Sequence, residues 1–257
     1  MIIMPLNPAP SSLFRYYINS AINKLLPHTC ILCNKLTQQT IDLCQACENE
    51  LPRIELACLR CGVPIATPTI CVDKKLCGQC IQHPPPYNTT FALYHYEEPI
   101  DKLITGIKFS GKLVYAKVLG ELFAKNILLS LTEDNKPDYL IPMPLHQKRL
   151  CERGFNQALE LARPIAKYLQ IPIDFQSCIR SRNTIAQTLI PAETRYNNIK
   201  NAFSISKKFF ARHVAILDDV VTTGNTVTEL SKVLKQQGIE NISIWCCART
   251  NSHKMHQ

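Results

Sequence analysis

The chain has 257 residues, 46% of them hydrophobic and 19% charged, with a formal net charge of +9. That length exceeds a miniature scaffold, and the apolar share excludes both a disordered chain and a membrane-embedded bundle. The basic excess favours anionic partners such as phosphates, nucleic acid or an acidic membrane surface, without choosing among them.

The first 27 residues carry Pro5, Pro8 and Pro10 and no early positive charge, so they fit neither a signal sequence nor a membrane span. Residues 12–26 are predicted to form a short amphipathic helix. Of thirteen cysteines, nine lie between residues 30 and 80. Eight of these form four Cys-x2-Cys pairs, Cys30/Cys33, Cys44/Cys47, Cys58/Cys61 and Cys77/Cys80, separated by gaps of 10, 10 and 15 residues. A Cys-x2-Cys turn aims two sulfurs at one ion, and two such turns close a four-sulfur site with no open position, the structural form of zinc ligation. The simplest pairing is sequential, with Cys30, Cys33, Cys44 and Cys47 on one Zn²⁺ and Cys58, Cys61, Cys77 and Cys80 on the other; a crossed pairing is also compatible with the spacing. Gly62 and Gly78, each directly after a cysteine, are expected in left-handed backbone. Cys71, inside the long gap, is expected to be a spectator. Free thiols in metal-binding spacing, rather than a disulfide framework, predict a reducing compartment, the cytoplasm.

Pro84, Pro85 and Pro86 can continue neither a helix nor a central strand, and they mark the expected end of a zinc-ribbon module over 28–84. From 87 to 250 short apolar runs alternate with amphipathic ones, which predicts an α/β domain with a mostly parallel sheet, followed by a tail at 251–257. Strands are expected at 91–96, 139–143, 214–217 and 242–246. Helices are expected at 100–109, 113–131 and 226–237. A further helical stretch, 156–169, contains Pro164 and should kink or restart there. Trp245 is expected in the core.

Residues 213–226 run from an apolar strand through Asp218 and Asp219 to Thr222, Thr223, Gly224, Asn225 and Thr226, and then into a helix. Hydroxyls and closely spaced N–H groups at a helix N-terminus favour an anion, and a carboxylate pair at a strand's carboxyl end can accept hydrogen bonds from sugar hydroxyls. The order therefore points to a phosphate-ribose ligand. Lys148, Arg149 and Arg153 follow the strand at 139–143, where arginine forks suit a pyrophosphate. Between 145 and 200 there are nine Lys/Arg against four Asp/Glu. Within that stretch Arg180, Arg182 and Arg195 belong to a polar segment read as a loop or hairpin.

The run 214–226 closely resembles the 5-phosphoribosyl 1-pyrophosphate (PRPP) signature of type I phosphoribosyltransferases. With the four Cys-x2-Cys pairs and the segment 153–157, the whole chain from residue 30 to 249 resembles the ComF family, associated with competence and natural transformation. That resemblance implies a double zinc ribbon followed by a type I phosphoribosyltransferase-like domain that binds PRPP with Mg²⁺. It implies that Asp218 and Asp219, the catalytic pair, meet the ribose hydroxyls. Thr222, Thr223, Gly224, Asn225 and Thr226 would hold the 5-phosphate, and Lys148, Arg149 and Arg153 the pyrophosphate. A loop carrying Arg180, Arg182 and Arg195 would close over the ligand. Lys108 and Lys112 resemble an element of ComF relatives near the cleft. The implied role lies in DNA uptake, with an unidentified acceptor. The alternative is a non-catalytic factor that binds single-stranded DNA and uptake-machinery proteins, with the fold as scaffold or PRPP sensor.

Overall fold

Each apolar run expected to be a strand in the α/β region is one, and four of the helices of this region bury apolar residues. The computed structural model describes residues 28–65, 75–182 and 199–250. The helix expected at 12–26, Cys71 and Arg195 lie outside the described residues. In chain order the elements begin with β1 (His28–Thr29), β2 (Leu36–Thr37), α1 (Gln45–Asn49) and α2 (Gly78–Gln82). There follow β3 (Thr89–His95), α3 (Ile100–Ser110), α4 (Leu113–Leu128), β4 (Tyr139–Pro142), α5 (Gln147–Arg153) and α6 (Gln157–Leu169). The last are β5 (Cys178–Arg180), β6 (Phe203–Ile205), β7 (His213–Val221), α7 (Asn225–Gln236) and β8 (Asn241–Arg249).

A four-stranded sheet in the order β3-β8-β7-β4 forms the centre, and every neighbouring pair is parallel. The two inner strands, β7 and β8, are buried along most of their length, as expected of central parallel strands covered on both faces. Register places Leu217 opposite Trp245 and Asp218 opposite Cys246. Trp245, 3% exposed, packs its ring 5.8 Å from that of Phe123, which meets Phe91 edge-on at 5.1 Å. Among the described residues no helix is long and apolar enough to cross a membrane.

Two local expectations need correction, and one element needs adding. Strand β7 does not stop at 217 but carries both aspartates and runs on to Val221, because the sheet partner β8 extends to Arg249 and keeps the ladder going. Helix α6 continues through Pro164 without a restart. The proline ring lies against Gly120 of α4, where an added β-carbon would sit 2.5 Å from Pro164 Cγ and 2.8 Å from the Leu161 carbonyl oxygen. A glycine notch on one helix thus receives the proline of the other. Gly120→Val should lower stability by about 1–3 kcal/mol through overpacking, read as a fall in thermal midpoint; an unchanged midpoint would show that the two helices separate freely. Finally, the stretch that carries Lys148, Arg149 and Arg153, to which no element was assigned, forms the helix α5, with the His146 ring nitrogen accepting from the Lys148 N–H at 3.2 Å as its N-cap.

The chain divides after Glu50 into two compact units. The first holds β1, β2, α1 and the first cysteine set. The second holds the sheet together with the second cysteine set. In that second unit, the Ile54 N–H donates to the Leu93 carbonyl at 3.0 Å, the His95 N–H to Pro52 at 2.9 Å and the Thr90 N–H to Leu59 at 2.8 Å, so residues 52–59 cover the open edge of β3. Gly62 has φ +69°, and a β-carbon there would sit 2.6 Å from Thr90 Cγ2, so both backbone and space require glycine. Gly78, by contrast, is not left-handed; it opens α2 behind the N-cap residue Cys77.

Candidate metal and phosphate sites

The cysteine pairs assemble sequentially. Cys30, Cys33, Cys44 and Cys47 bring their sulfurs within 4.8 Å of one another, and Cys58, Cys61, Cys77 and Cys80 do the same. A tetrahedral Zn²⁺ with Zn–S bonds of about 2.3 Å puts its sulfurs about 3.8 Å apart. The observed Cys33–Cys44 and Cys61–Cys77 separations are both 3.7 Å. Donor type, number and spacing therefore fit two structural zinc ions. Charge points the same way: a side-chain hydrogen bond from Cys61, with backbone N–H groups, pulls the Cys58 thiol down to about 4, while burial pushes Cys80 up to about 12. Four crowded sulfurs cannot all ionise without a dication among them.

At the carboxyl edge of the sheet, β7 presents Asp218 and Asp219 as consecutive residues, with the Asp219 N–H donating to Asp218 Oδ1 at 2.9 Å. Asp219 is 4% exposed and ion-paired to Lys108 Nζ of α3 at 2.7 Å. Burial works against the Lys108 ammonium, yet Asp219 and then Asp218 outweigh it and raise its pKa. Burial, reinforced by the Asp219 carboxylate, pushes the Asp218 carboxyl well above the usual carboxylate range. An additional cation or a set of hydroxyl donors at this pair would relieve that cost.

Beyond Val221 the chain turns through Thr222 and Thr223 to Gly224, which caps α7 in left-handed backbone with φ +82°. The turn thereby faces the first N–H groups of a 12-residue helix toward the strand end. Tyr87 lies behind it, 4% exposed, with its hydroxyl 3.5 Å from where a Gly224 β-carbon would be. Across the edge, the loop after β4 delivers α5. Lys148 is exposed, whereas Arg149 and Arg153 are partly buried; Arg153 Nη1 donates to Gln157 Oε1 at 2.6 Å. Asn156 fixes this loop, its side-chain oxygen capping α6 and its Nδ2 donating to the Met143 carbonyl at 3.1 Å.

Arg180 lies on β5, within a hairpin formed with β6, and its guanidinium stacks 5.5 Å from the Phe203 ring centre. Burial, then the neighbouring Arg149, lower its pKa to about 10, while Asp218 acts in the opposite direction. Arg149 is likewise lowered by burial and by Arg153. Arginines 149, 153 and 180 are thus electrostatically crowded, which favours a polyanion. Arg182 does not join them: it is exposed and donates to the Lys200 carbonyl at 2.6 Å. Two residues beside the turn were not legible as site residues in the sequence. Tyr87 gave no signal beyond its place after the prolines. Arg249 did, as a lone basic residue ending an otherwise buried strand; it is 5% exposed, and its Nη1 donates to the carbonyls of Val221 (3.0 Å) and Thr222.

Comparison with known proteins agrees with both halves of this architecture. Residues 21–81 match a double zinc ribbon domain, and residues 156–257 match a phosphoribosyl transferase domain. A Shigella flexneri protein named DNA utilization protein YhgH is 33% identical over 228 residues, covering 88% of this chain and 98% of its own. Competence protein F of Haemophilus influenzae is 32% identical over 216 residues, covering 80% and 90%. Competence protein ComFC of Bacillus subtilis is 23% identical over 231 residues, covering 84% and 91%.

Proposed function

The chain belongs to the ComF family, and on that premise we propose that its phosphoribosyltransferase-type domain binds PRPP with Mg²⁺ in a process of DNA utilization or uptake. The observation that carries this reading is the single run from Asp218 to Thr226, which puts a carboxylate pair and a left-handed turn at a helix N-terminus on one edge of a parallel sheet. In this reading the N–H groups and hydroxyls of Thr222, Thr223, Gly224, Asn225 and Thr226 hold the 5-phosphate. Asp218 and Asp219 accept hydrogen bonds from the ribose hydroxyls, with Lys108 ion-paired to Asp219. Arg149 and Arg153, joined by Arg180 and with Lys148 at the rim, receive the pyrophosphate.

Hard carboxylate oxygens suit Mg²⁺, and the raised pKa of Asp218 marks a place where added positive charge is favourable. The ion would supply charge neutralisation on the pyrophosphate oxygens. For transfer, substitution at the anomeric carbon passes through an oxocarbenium-like state. The arginines stabilise the negative charge that collects on the departing pyrophosphate, and the aspartates face the positive charge that develops on the sugar. No described residue stands out as a base for an acceptor. Thiolate ligation in two zinc ribbons agrees with a reducing cytoplasmic setting.

Calorimetric titration with PRPP, with and without Mg²⁺, tests the reading. The zinc-loaded protein should bind with micromolar, magnesium-dependent affinity, and Asp218→Asn/Asp219→Asn should weaken it roughly tenfold or more, the loss of at least one charge-assisted hydrogen bond. Absence of binding to the wild type would refute it. A second reading, a scaffold for single-stranded DNA and uptake proteins, is favoured by the cationic stretch 145–200 and by the names of the relatives. It requires steeply salt-dependent DNA binding that survives the aspartate substitutions.

A further inference from the structure

One buried side chain joins the phosphate turn to the second cysteine site. Arg249 closes β8, and its Nε donates to the carbonyl of Cys61 at 3.1 Å. From the same guanidinium, Nη1 reaches the Val221 carbonyl at 3.0 Å and the Thr222 carbonyl, where β7 gives way to the turn. One face of the fork is thus committed to a metal-ligand residue and the other to the entrance of the anion site. A second route runs in parallel. Gly62 leaves no room for a β-carbon against Thr90; Thr90 Oγ1 donates to the Arg60 carbonyl at 2.7 Å; and Arg60 Nη1 donates to the Tyr87 carbonyl at 3.2 Å. Tyr87 carries its hydroxyl to Gly224, at the far end of the turn. Residues 60–62 therefore brace both ends of the turn, Thr222 through Arg249 and Gly224 through Tyr87.

We propose that Arg249 is a positioning residue that ties the conformation of the 222–226 turn to metal occupancy of the Cys58/Cys61/Cys77/Cys80 site and not of the Cys30/Cys33/Cys44/Cys47 site. The physical basis is geometric. The turn's carbonyls must point back, toward Arg249, for its N–H groups to point out toward an anion. Only a planar guanidinium spans Cys61 on one side and Val221 and Thr222 on the other; a lysine ammonium keeps the charge but not the fork. The identity of the ligand rests on the PRPP reading above. The link between metal site and turn does not.

The test uses full-length protein carrying Arg249→Lys or Arg249→Met, with Ser231→Ala as a control. Ser231 is fully buried in α7, and its hydroxyl donates to the Val227 carbonyl at 2.7 Å. Three quantities are read: zinc content, amide hydrogen exchange at 222–226 without ligand, and PRPP affinity. Both Arg249 variants should retain two zinc ions, exchange roughly tenfold faster at the turn and bind PRPP roughly tenfold more weakly, since one charge-assisted hydrogen bond carries about that factor. Ser231→Ala should lower the melting temperature and leave exchange at the turn as it was. Cys61→Ser should lose one zinc and open the turn, whereas Cys33→Ser should lose the other zinc and leave it closed. Unchanged exchange in Arg249→Lys and Arg249→Met, or equal opening by Cys33→Ser, would overturn the proposal. If the exchange results are as expected but the wild type takes no PRPP, the link stands and the PRPP reading fails.

Discussion

Stripping both zinc ions is expected to unfold residues 28–50 outright and to loosen the outer edge of β3 while the rest of the sheet survives. The expected stoichiometry is two ions per chain, one for each four-sulfur cluster. In the first unit the described residues bury only Ile41 and Leu43 as large aliphatic side chains, beside Cys30 and Thr37. That is far too little apolar area to offset the conformational entropy of ordering the segment, so the metal must supply the difference; a structural zinc contributes about 10–16 kcal/mol at neutral pH. The second cluster differs in context. Its backbone is hydrogen-bonded to Leu93, His95 and Thr90 of β3, whose other edge is paired to β8, so the strand itself should persist after metal loss. Metal analysis together with residue-resolved hydrogen exchange before and after chelation measures both effects. A stoichiometry near one or zero, or unchanged protection at 28–50 in stripped protein, would sink the assignment.

What could be read from the sequence depended on whether the information was local. The run from His213 to Thr226 carries strand, acids, turn and helix start in consecutive residues, so its chemistry is visible without a fold. The cysteine spacing likewise implies two four-sulfur sets, although only the assembled chain resolves their sequential pairing. Readings that depended on a distant partner were incomplete. The extent of β7 past Asp218 is set by its ladder with β8, which an apolar-run criterion cannot see once acids begin. Pro164 is tolerated inside α6 beside a glycine notch on another helix. Lys108 could be placed near the cleft but not on Asp219, because the ion pair joins α3 to β7 across a long stretch of sequence. Arg249 stood out only as a lone basic residue at the end of a buried strand, and its bond to Cys61 was not legible for the same reason, since the two lie 188 residues apart.

The two ends of the proposed ligand site should fail in different ways when mutated. Gly224 has φ +82°, a conformation that costs a β-branched residue about 1–3 kcal/mol, and the new side chain would also press toward the Tyr87 hydroxyl 3.5 Å beyond its β-carbon. Gly224→Val should therefore refold the turn and withdraw two or more N–H donors from the 5-phosphate, for a loss of roughly 100-fold or more in affinity. Because ribose 5-phosphate carries the same phosphate, it should suffer as much as PRPP. Arg149→Ala/Arg153→Ala acts at the other end of the cleft. Truncating both removes charge that is already crowded by its neighbours and by burial, so the folded protein should tolerate it well. PRPP should lose roughly 100-fold, two charge-assisted contacts, whereas ribose 5-phosphate, which lacks the pyrophosphate, should lose little. Competition titrations with the two ligands on each variant give four affinities. Equal losses for both ligands in the arginine variant would place the pyrophosphate elsewhere, and an unaffected Gly224→Val would remove the phosphate from the turn. The arginine result also separates ligand chemistry from general electrostatics: a uniformly basic surface attracts any anion in proportion to its charge, while a built pyrophosphate site discriminates by shape even when salt is raised.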